Sequence, residues 1–268
     1  MLLNSPEPAP SAKQPSAMTQ PRKGALVLDA FIDAISWEGA LQTIEGWAVR
    51  RQSKYICACN VHMVISMRNN RLINKTVHGA DMVLPDGMPV AWMLRRLGFS
   101  EQQKISGADL MWQYFALAEA SGTRVYFYGS TPQTLELLSK RLLVAFPHLR
   151  IAGMEAPPFR ELSEQEDADA VTRINASDAG VVFVGLGCPK QEMWMGKHRG
   201  RVNAVMIGVG AAFDFLAGTV KRAPLWMQRC GLEWAYRLGA EPRRLWRRYL
   251  TTNFSFLLGA VGQLLRSR

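Results

Sequence analysis

Short apolar runs alternate along this chain with stretches of helical periodicity, and that alternation constrains the fold more than any other feature. Residues 25–28, 55–59, 81–84, 124–128, 149–152, 181–184 and 202–209 are apolar and short enough to be buried strands. Between them, Ser36 stands where it can cap a helix in which Trp37, Ala40, Leu41, Ile44 and Trp47 recur at three- and four-residue spacing. A second helix is predicted over 108–120, closed by Gly122, and a third begins with Pro132 in its first turn. Ser163 followed by Glu166 has the form of a capping box. Strands alternating with helices predict an α/β fold, a Rossmann-like, mostly parallel sheet with helices on both faces, and no internal repeat interrupts the pattern. In such folds ligands bind outside the carboxyl ends of the strands. The loops after Cys59, Leu84, Tyr128, Val184 and Val209 are therefore where chemistry is expected.

Charge divides the chain into three parts. Of 32 Lys and Arg against 22 Asp and Glu, residues 1–23 hold three basic and one acidic, 24–218 hold 19 of each, and 219–268 hold ten basic and two acidic. The first part, with five prolines, reads as a disordered leader, and the second as a neutral α/β domain. The third is a basic appendage carrying +8, rich in aromatics, which points to an anionic partner met at one end. An overall 48% of hydrophobic and 20% of charged residues excludes a fibrous or disordered chain. No apolar run reaches the ~18 residues of a membrane span. Residues 254–265, followed by Arg266 and Arg268, suit instead a helix lying on a surface. The segment around Met18 lacks the apolar core of a secretory signal, so a cytoplasmic location is expected. Cys57, Cys59, Cys188 and Cys230 form no C-x-x-C pair and have no histidine at zinc-ligand spacing; Cys57 and Cys59 read as small buried hydrophobes on one face of a strand.

Three loops could hold chemistry. Gly185-Leu-Gly-Cys-Pro-Lys-Gln-Glu192 follows a strand and opens a helix; Gly185 and Gly187 allow close backbone approach, Lys190 adds a charge and Gln191 an amide. Taken as spacing alone, the same loop could be a plain tight turn. Asp86 precedes Gly87 at a strand end and is either a general base or a turn residue. Asn60 could bind a sugar or a base, or cap a helix that starts at Val61. Asp167-Ala-Asp169 has the D-x-D form of metal sites, yet the helical pattern around Val171 and Ile174 makes it a solvated acidic face. His62, His78, His148 and His198 share no ligand spacing.

Taken in order, Asp81-Met-Val-Leu-Pro-Asp-Gly87, Ser106-Gly-Ala-Asp-Leu110, the Gly185–Glu192 loop, Gly208-Val-Gly-Ala-Ala-Phe-Asp-Phe215, Gly218-Thr-Val-Lys-Arg-Ala-Pro224, Gly231-Leu-Glu-Trp234 and residues 241–249 resemble the WecG/TagA/CpsF glycosyltransferases (glycosyltransferase family 26), over roughly residues 25–250. The resemblance implies an inverting transfer of a sugar, usually of the N-acetylmannosamine type, from a UDP-sugar to an undecaprenyl-diphosphate-linked acceptor at the inner face of the membrane. It implies Asp86 as the base, with Asn60 and, from the appendage, Arg237, Arg244 and Arg247 taking part in catalysis. Substrate-binding roles fall on Gly129, Gly185, Gly187, Lys190, Gln191, Asp214, Lys104 and Arg222. Two positions depart from the family pattern: Ala58 stands where a Thr is common, and Lys104 lies one place upstream of a usual Arg.

Inverting transfer needs a base for the acceptor hydroxyl and positive groups for the diphosphate that leaves. With arginines and loop N–H groups in the second role, no metal or other cofactor is expected. Residues 219–268 are expected to dock on an anionic membrane surface as well, with Trp226, Trp234, Tyr236, Trp246 and Tyr249 at the headgroup level. The same mixture of arginine and aromatics could bind nucleic acid, but Leu232, Leu238 and Leu245 beside it favour an interfacial helix. A nucleotide-sugar-binding module without catalysis is the other alternative, against which Asp86, Gln191 and Asp214 together speak. Self-association is left open by the sequence.

Overall fold

The computed structural model describes residues 22–266, so most of the segment read as a leader lies outside the described residues. The chain begins with a hairpin, β1 (Gly24–Val27) and β2 (Ala30–Asp33), followed by α1 (Trp37–Val49), β3 (Lys54–Cys59), α2 (Val61–Asn69), α3 (Arg71–His78) and β4 (Met82–Pro85). Next come α4 (Met88–Arg96), α5 (Gly107–Ser121), β5 (Val125–Gly129), α6 (Pro132–Ala145), β6 (Ile151–Glu155) and α7 (Glu164–Ala176). β7 (Val181–Gly185), α8 (Lys190–His198), β8 (Val205–Gly208) and α9 (Ala212–Ala217) complete the body. Three helices end the chain: α10 (Leu225–Arg229), α11 (Glu233–Ala240) and α12 (Pro242–Arg266).

β3 to β8 form one sheet in the order β4-β3-β8-β7-β5-β6, and every neighbouring pair is parallel. Side chains alternate between its two faces, as the pleat requires. Val182, Val184, Cys57 and Cys59 enter a core shared with α2, α3, α4, α7 and α8, while Val181, Phe183 and Ile56 enter the core under α1, α5, α6 and α9. Cys57 and Cys59 are the small buried residues expected, and burial raises both thiols above their ordinary range. The second core is held by aromatic packing, with Phe115 and Phe183 rings 5.4 Å apart and Phe127 and Phe213 rings 5.6 Å apart. The helix starts follow from the sequence: Ser36, Ser106, Thr131 and Ser163 each accept a backbone N–H of the first turn, and Ser163 with Glu166 completes the capping box.

Residues 25–28 do form a strand, but outside the parallel sheet. β1 and β2 pair antiparallel through a two-residue turn at Leu28 and Asp29, and Val83 donates its backbone N–H to Asp33 at 2.6 Å beside the edge strand β4. Arg22 binds the same Asp33 carboxylate and the Ala80 carbonyl. This hairpin in turn receives the end of the chain. Gln263 on α12 accepts the Leu28 N–H at 2.8 Å and donates to the Leu26 carbonyl at 2.6 Å, while Phe256 and Ala260 are buried in the core against α2. The apolar segment read as a surface helix thus has two sides, one docked on the body and one exposed.

Candidate active site

All six parallel strands deliver loops to one cavity of about 890 Å³ at their carboxyl ends. Its floor is Asn60 after β3, Asp86 after β4, Ser130 after β5, the Gly185–Cys188 loop after β7 and Val209–Ala212 after β8, with Phe159 entering beyond β6. The chain order reverses between β3 and β8, which is where a crevice opens in a doubly wound sheet. Its far wall comes from the C-terminal helices, through Glu233, Trp234 and Arg237 of α11 and Thr252, Phe256 and Ala260 of α12. Among the residues read from the sequence, Asp86, Asn60, Gly185, Gly187, Gln191, Asp214, Lys104, Arg222 and Arg237 all line this cavity.

Asp86 is positioned by its own backbone, whose N–H donates to the Cys59 and Leu84 carbonyls at 3.0 Å each. Asn60 is the helix cap that one of its two sequence readings expected, and it also orients the carboxylate beside it. Its Oδ1 accepts the Met63 N–H at 3.2 Å and caps α2, while its Nδ2 donates to Asp86 Oδ2 at 3.3 Å. Burial pushes the Asp86 carboxyl up, the Glu233 charge adds to this, and the Asn60 bond and the Lys104 charge oppose it, leaving its pKa at about 6. A carboxylate with that proton affinity suits general-base work at neutral pH.

The loop after β7 shows why glycine is needed there. A Cβ on Gly129 would stand 2.5 Å from the Gly185 carbonyl, and Gly187 has φ +79°, a left-handed conformation. Gly129 therefore lets the strand ends close up and does not itself line the cavity. Gln191 is buried, its Oε1 accepting the Gly210 N–H at 2.9 Å and its Nε2 donating to Glu192 Oε1 at 2.8 Å. Burial raises the Glu192 carboxyl to about 7, against the Gln191 bond. Lys190, in contrast, is exposed at the start of α8 and does not line the cavity. Asp214 receives long contacts from Ser130 Oγ at 3.5 Å and Thr134 Oγ1 at 3.4 Å.

The cations are not equivalent. Arg222 is bidentate to Asp109, at 2.5 and 2.8 Å, with Nε 3.4 Å from Glu233. Burial raises the Asp109 carboxyl, but bonds from Arg222 and Ser106 outweigh it and hold the group below its usual range. Lys104 Nζ lies 3.6 Å from the other Glu233 oxygen. Arg237 lies 5.4 Å over the Phe215 ring, and its Nε is buried with no hydrogen-bond partner among the described residues. Arg247 is exposed over the Trp246 ring, away from the cavity. The side chain of Arg244 lies outside the described residues.

Asp167 needs correction. It is buried, not part of a solvated face, because α8 and the loop after it fold over it: His198 Nε2 lies at 3.0 Å, and Lys197 Nζ and Arg201 Nη1 at 3.1 Å. Asp169 is exposed, and neither residue lines the cavity. Among the described residues no group of three or more His, Cys, Asp or Glu is placed to hold a metal ion. Sequence reading assigned no role to Glu233, although it lies within Gly231-Leu-Glu-Trp234.

A carboxylate of raised proton affinity, facing amide, lysine and arginine donors at the switch point of a parallel sheet, defines a group-transfer enzyme for a phosphorylated substrate. The chain belongs to the WecG/TagA/CpsF family of glycosyl transferases, whose model matches residues 25–268. It is similar to an N-acetylglucosaminyldiphosphoundecaprenol N-acetyl-beta-D-mannosaminyltransferase of Bacillus spizizenii, 34% identical over 203 residues, covering 75% of this chain and 77% of that one. A protein of the same name from Bacillus subtilis is 30% identical over 197 residues, covering 73% and 75%.

Proposed function

We propose that this glycosyltransferase moves a sugar, of the N-acetylmannosamine type or another hexose, from a UDP-sugar to a polyprenyl-diphosphate-linked acceptor, with inversion, in the synthesis of a bacterial cell-surface polysaccharide. The observation that carries this is Asp86, oriented by Asn60, facing Lys104 and Arg237 across one cavity. Asp86 takes the proton of the acceptor hydroxyl, the oxygen attacks the anomeric carbon, and the bond from that carbon to the diphosphate breaks with its electron pair leaving on UDP. Arg237, whose Nε has no other partner among the described residues, meets the charge that develops there. No metal enters this reading. Lysine and arginine stand at the cavity, and the D-x-D carboxylate Asp167 is already held by His198, Lys197 and Arg201.

α12 supports the lipid part of the reading. Trp246, Leu250, Phe254, Leu258, Val261 and Leu265 form an exposed stripe along its outer side, while its inner side walls the cavity. With Arg243, Arg247 and Arg266 exposed beside it, this stripe suits the inner leaflet of an anionic membrane, where a lipid-borne acceptor can enter beneath the helix. No helix among the described residues is long and apolar enough to cross a membrane.

A panel of UDP-sugars offered with short-chain polyprenyl-diphosphate-N-acetylglucosamine, with and without EDTA, tests the proposal. Transfer from UDP-N-acetylmannosamine at a rate that EDTA leaves unchanged is the expected result. UDP binding without transfer from any donor would make the chain a binding module, and strong inhibition by EDTA would overturn the metal-free step.

A further inference from the structure

Among the described residues, Glu233 is the only carboxylate that the three C-terminal helices bring to the cavity. Its placing is unfavourable for a site built for anions. A carboxylate here repels an incoming diphosphate and crowds Asp86, whose proton affinity it raises. It also occupies the cations: Oε2 lies 3.6 Å from Lys104 Nζ and Oε1 3.4 Å from Arg222 Nε. Lys104 has no other ion pair among the described residues, whereas Arg222 keeps both bonds to Asp109 whether or not Glu233 is present. One turn further along α11, on the same side of the helix, Arg237 has Nε buried and unpartnered. Among the described residues, the chain itself therefore gives Lys104 a counter-ion and leaves the Arg237 Nε without a partner.

Resting on the donor reading above, we infer that Glu233 is a stand-in for a substrate phosphate. Its carboxylate neutralises Lys104 and the Nε edge of Arg222. A phosphate of the donor, drawn in by Arg237, takes Lys104 over and releases Glu233 with its helix. Because Glu233 belongs to α11 and Lys104 to the body, the exchange couples occupation of the site to the position of the C-terminal helices. Glu233 also bears on the base, for Asn60 at the end of β3, Lys104 before α5, Asp109 on α5 and Glu233 on α11 all act on the Asp86 carboxyl. In the exchange the phosphate brings its own negative charge to Lys104, so it is the substitution Glu233→Gln, which removes one negative charge from that set, that makes Asp86 of the ligand-free chain give up its proton at lower pH.

Titration calorimetry on the full chain with UDP and, separately, with inorganic pyrophosphate tests this in the wild type, in Glu233→Gln, and in Glu233→Gln combined with Lys104→Met. Glu233→Gln is expected to bind both ligands about three- to tenfold more tightly, the scale of a partly exposed ion pair removed from competition. The gain disappears when Lys104 is also replaced, and the acid limb of kcat/KM in Glu233→Gln moves down by about half a unit. Binding at or below the wild-type affinity in a variant that melts like the wild type, a gain that survives loss of Lys104, or an acid limb that stays in place overturns the inference and leaves Glu233 a tether. Pyrophosphate binding with the same dependence on Glu233 and Lys104, but no UDP binding, upholds the stand-in and overturns the nucleotide donor. Binding of neither ligand overturns both.

Discussion

In the body, β7 is buried on both faces, and α1, α2, α3, α5, α6 and α7 start at side-chain caps, though α4, α8 and α9 do not. In the C-terminal helices, α10 and α11 have no side-chain cap and no buried residue, and α12 leaves Leu250 67% and Leu265 68% exposed. They are fastened by Leu245, Phe256 and Ala260 in apolar contact, by Gln263 bonded to the hairpin, by Glu233 paired with Lys104 and Arg222, and by Arg237 over the Phe215 ring. The body is thus closed around its own core, while the C-terminal part is fastened to it through side chains and displays a face that water does not favour. Glu233 and Arg237 sit on the C-terminal side of the cavity and Asp86 on the side of the body. The proposed reaction divides along the same line, with proton transfer assigned to Asp86 at the end of a strand and charge stabilisation to Arg237 on α11.

The largest effect should come from removing one side of this comparison. A chain ending at Gly218 loses the cavity wall and the Phe256 contact, and transferase activity is expected to fall to background in a lipid-acceptor assay. Next is Arg237→Ala, which keeps the wall but removes a cation from the leaving group; a drop in kcat of about 10²-fold is expected, the cost of one donor at a developing charge. Replacing Leu250 and Leu258, both exposed, by Asp should weaken flotation with anionic vesicles about tenfold or more while the melting temperature holds. A fall in melting temperature instead would show that the stripe is packed in the free protein. Smallest is Gln263→Ala, which breaks two bonds to the hairpin and should cost about 1–2 kcal/mol in denaturant unfolding with little change in kcat.

Much of the body was legible because its strands are buried on both faces and so read as continuous apolar runs; residues 181–184 lie within β7, which extends one residue further. β2 was missed since its turn, Leu28 and Asp29, carries no glycine or asparagine signal and its pairing is antiparallel. Helical periodicity put Asp167 on the polar side of α7, but residues from α8 and beyond, distant in sequence, cover it. Asn60 was read either as a ligand for a sugar or base or as a helix cap; the cap is present, and the bond from its other end to Asp86 depends on a residue 26 positions away. Arg222 was read as a ligand for substrate, and its bidentate bond to Asp109 and its contact with Glu233 arise from tertiary neighbours that no local spacing reveals. For the same reason Glu233 passed without a role.

The account turns on Asp86 as the base, and the pH dependence of kcat/KM in the wild type and in Asp86→Asn tests it most directly. With the carboxyl raised to about 6, wild-type activity should climb through that pH as the proton leaves and level off above it. Asp86→Asn should remain folded, lose about 10²- to 10⁴-fold in rate and show no such limb. Near-normal transfer by Asp86→Asn, or an acid limb that persists in it, would contradict the account.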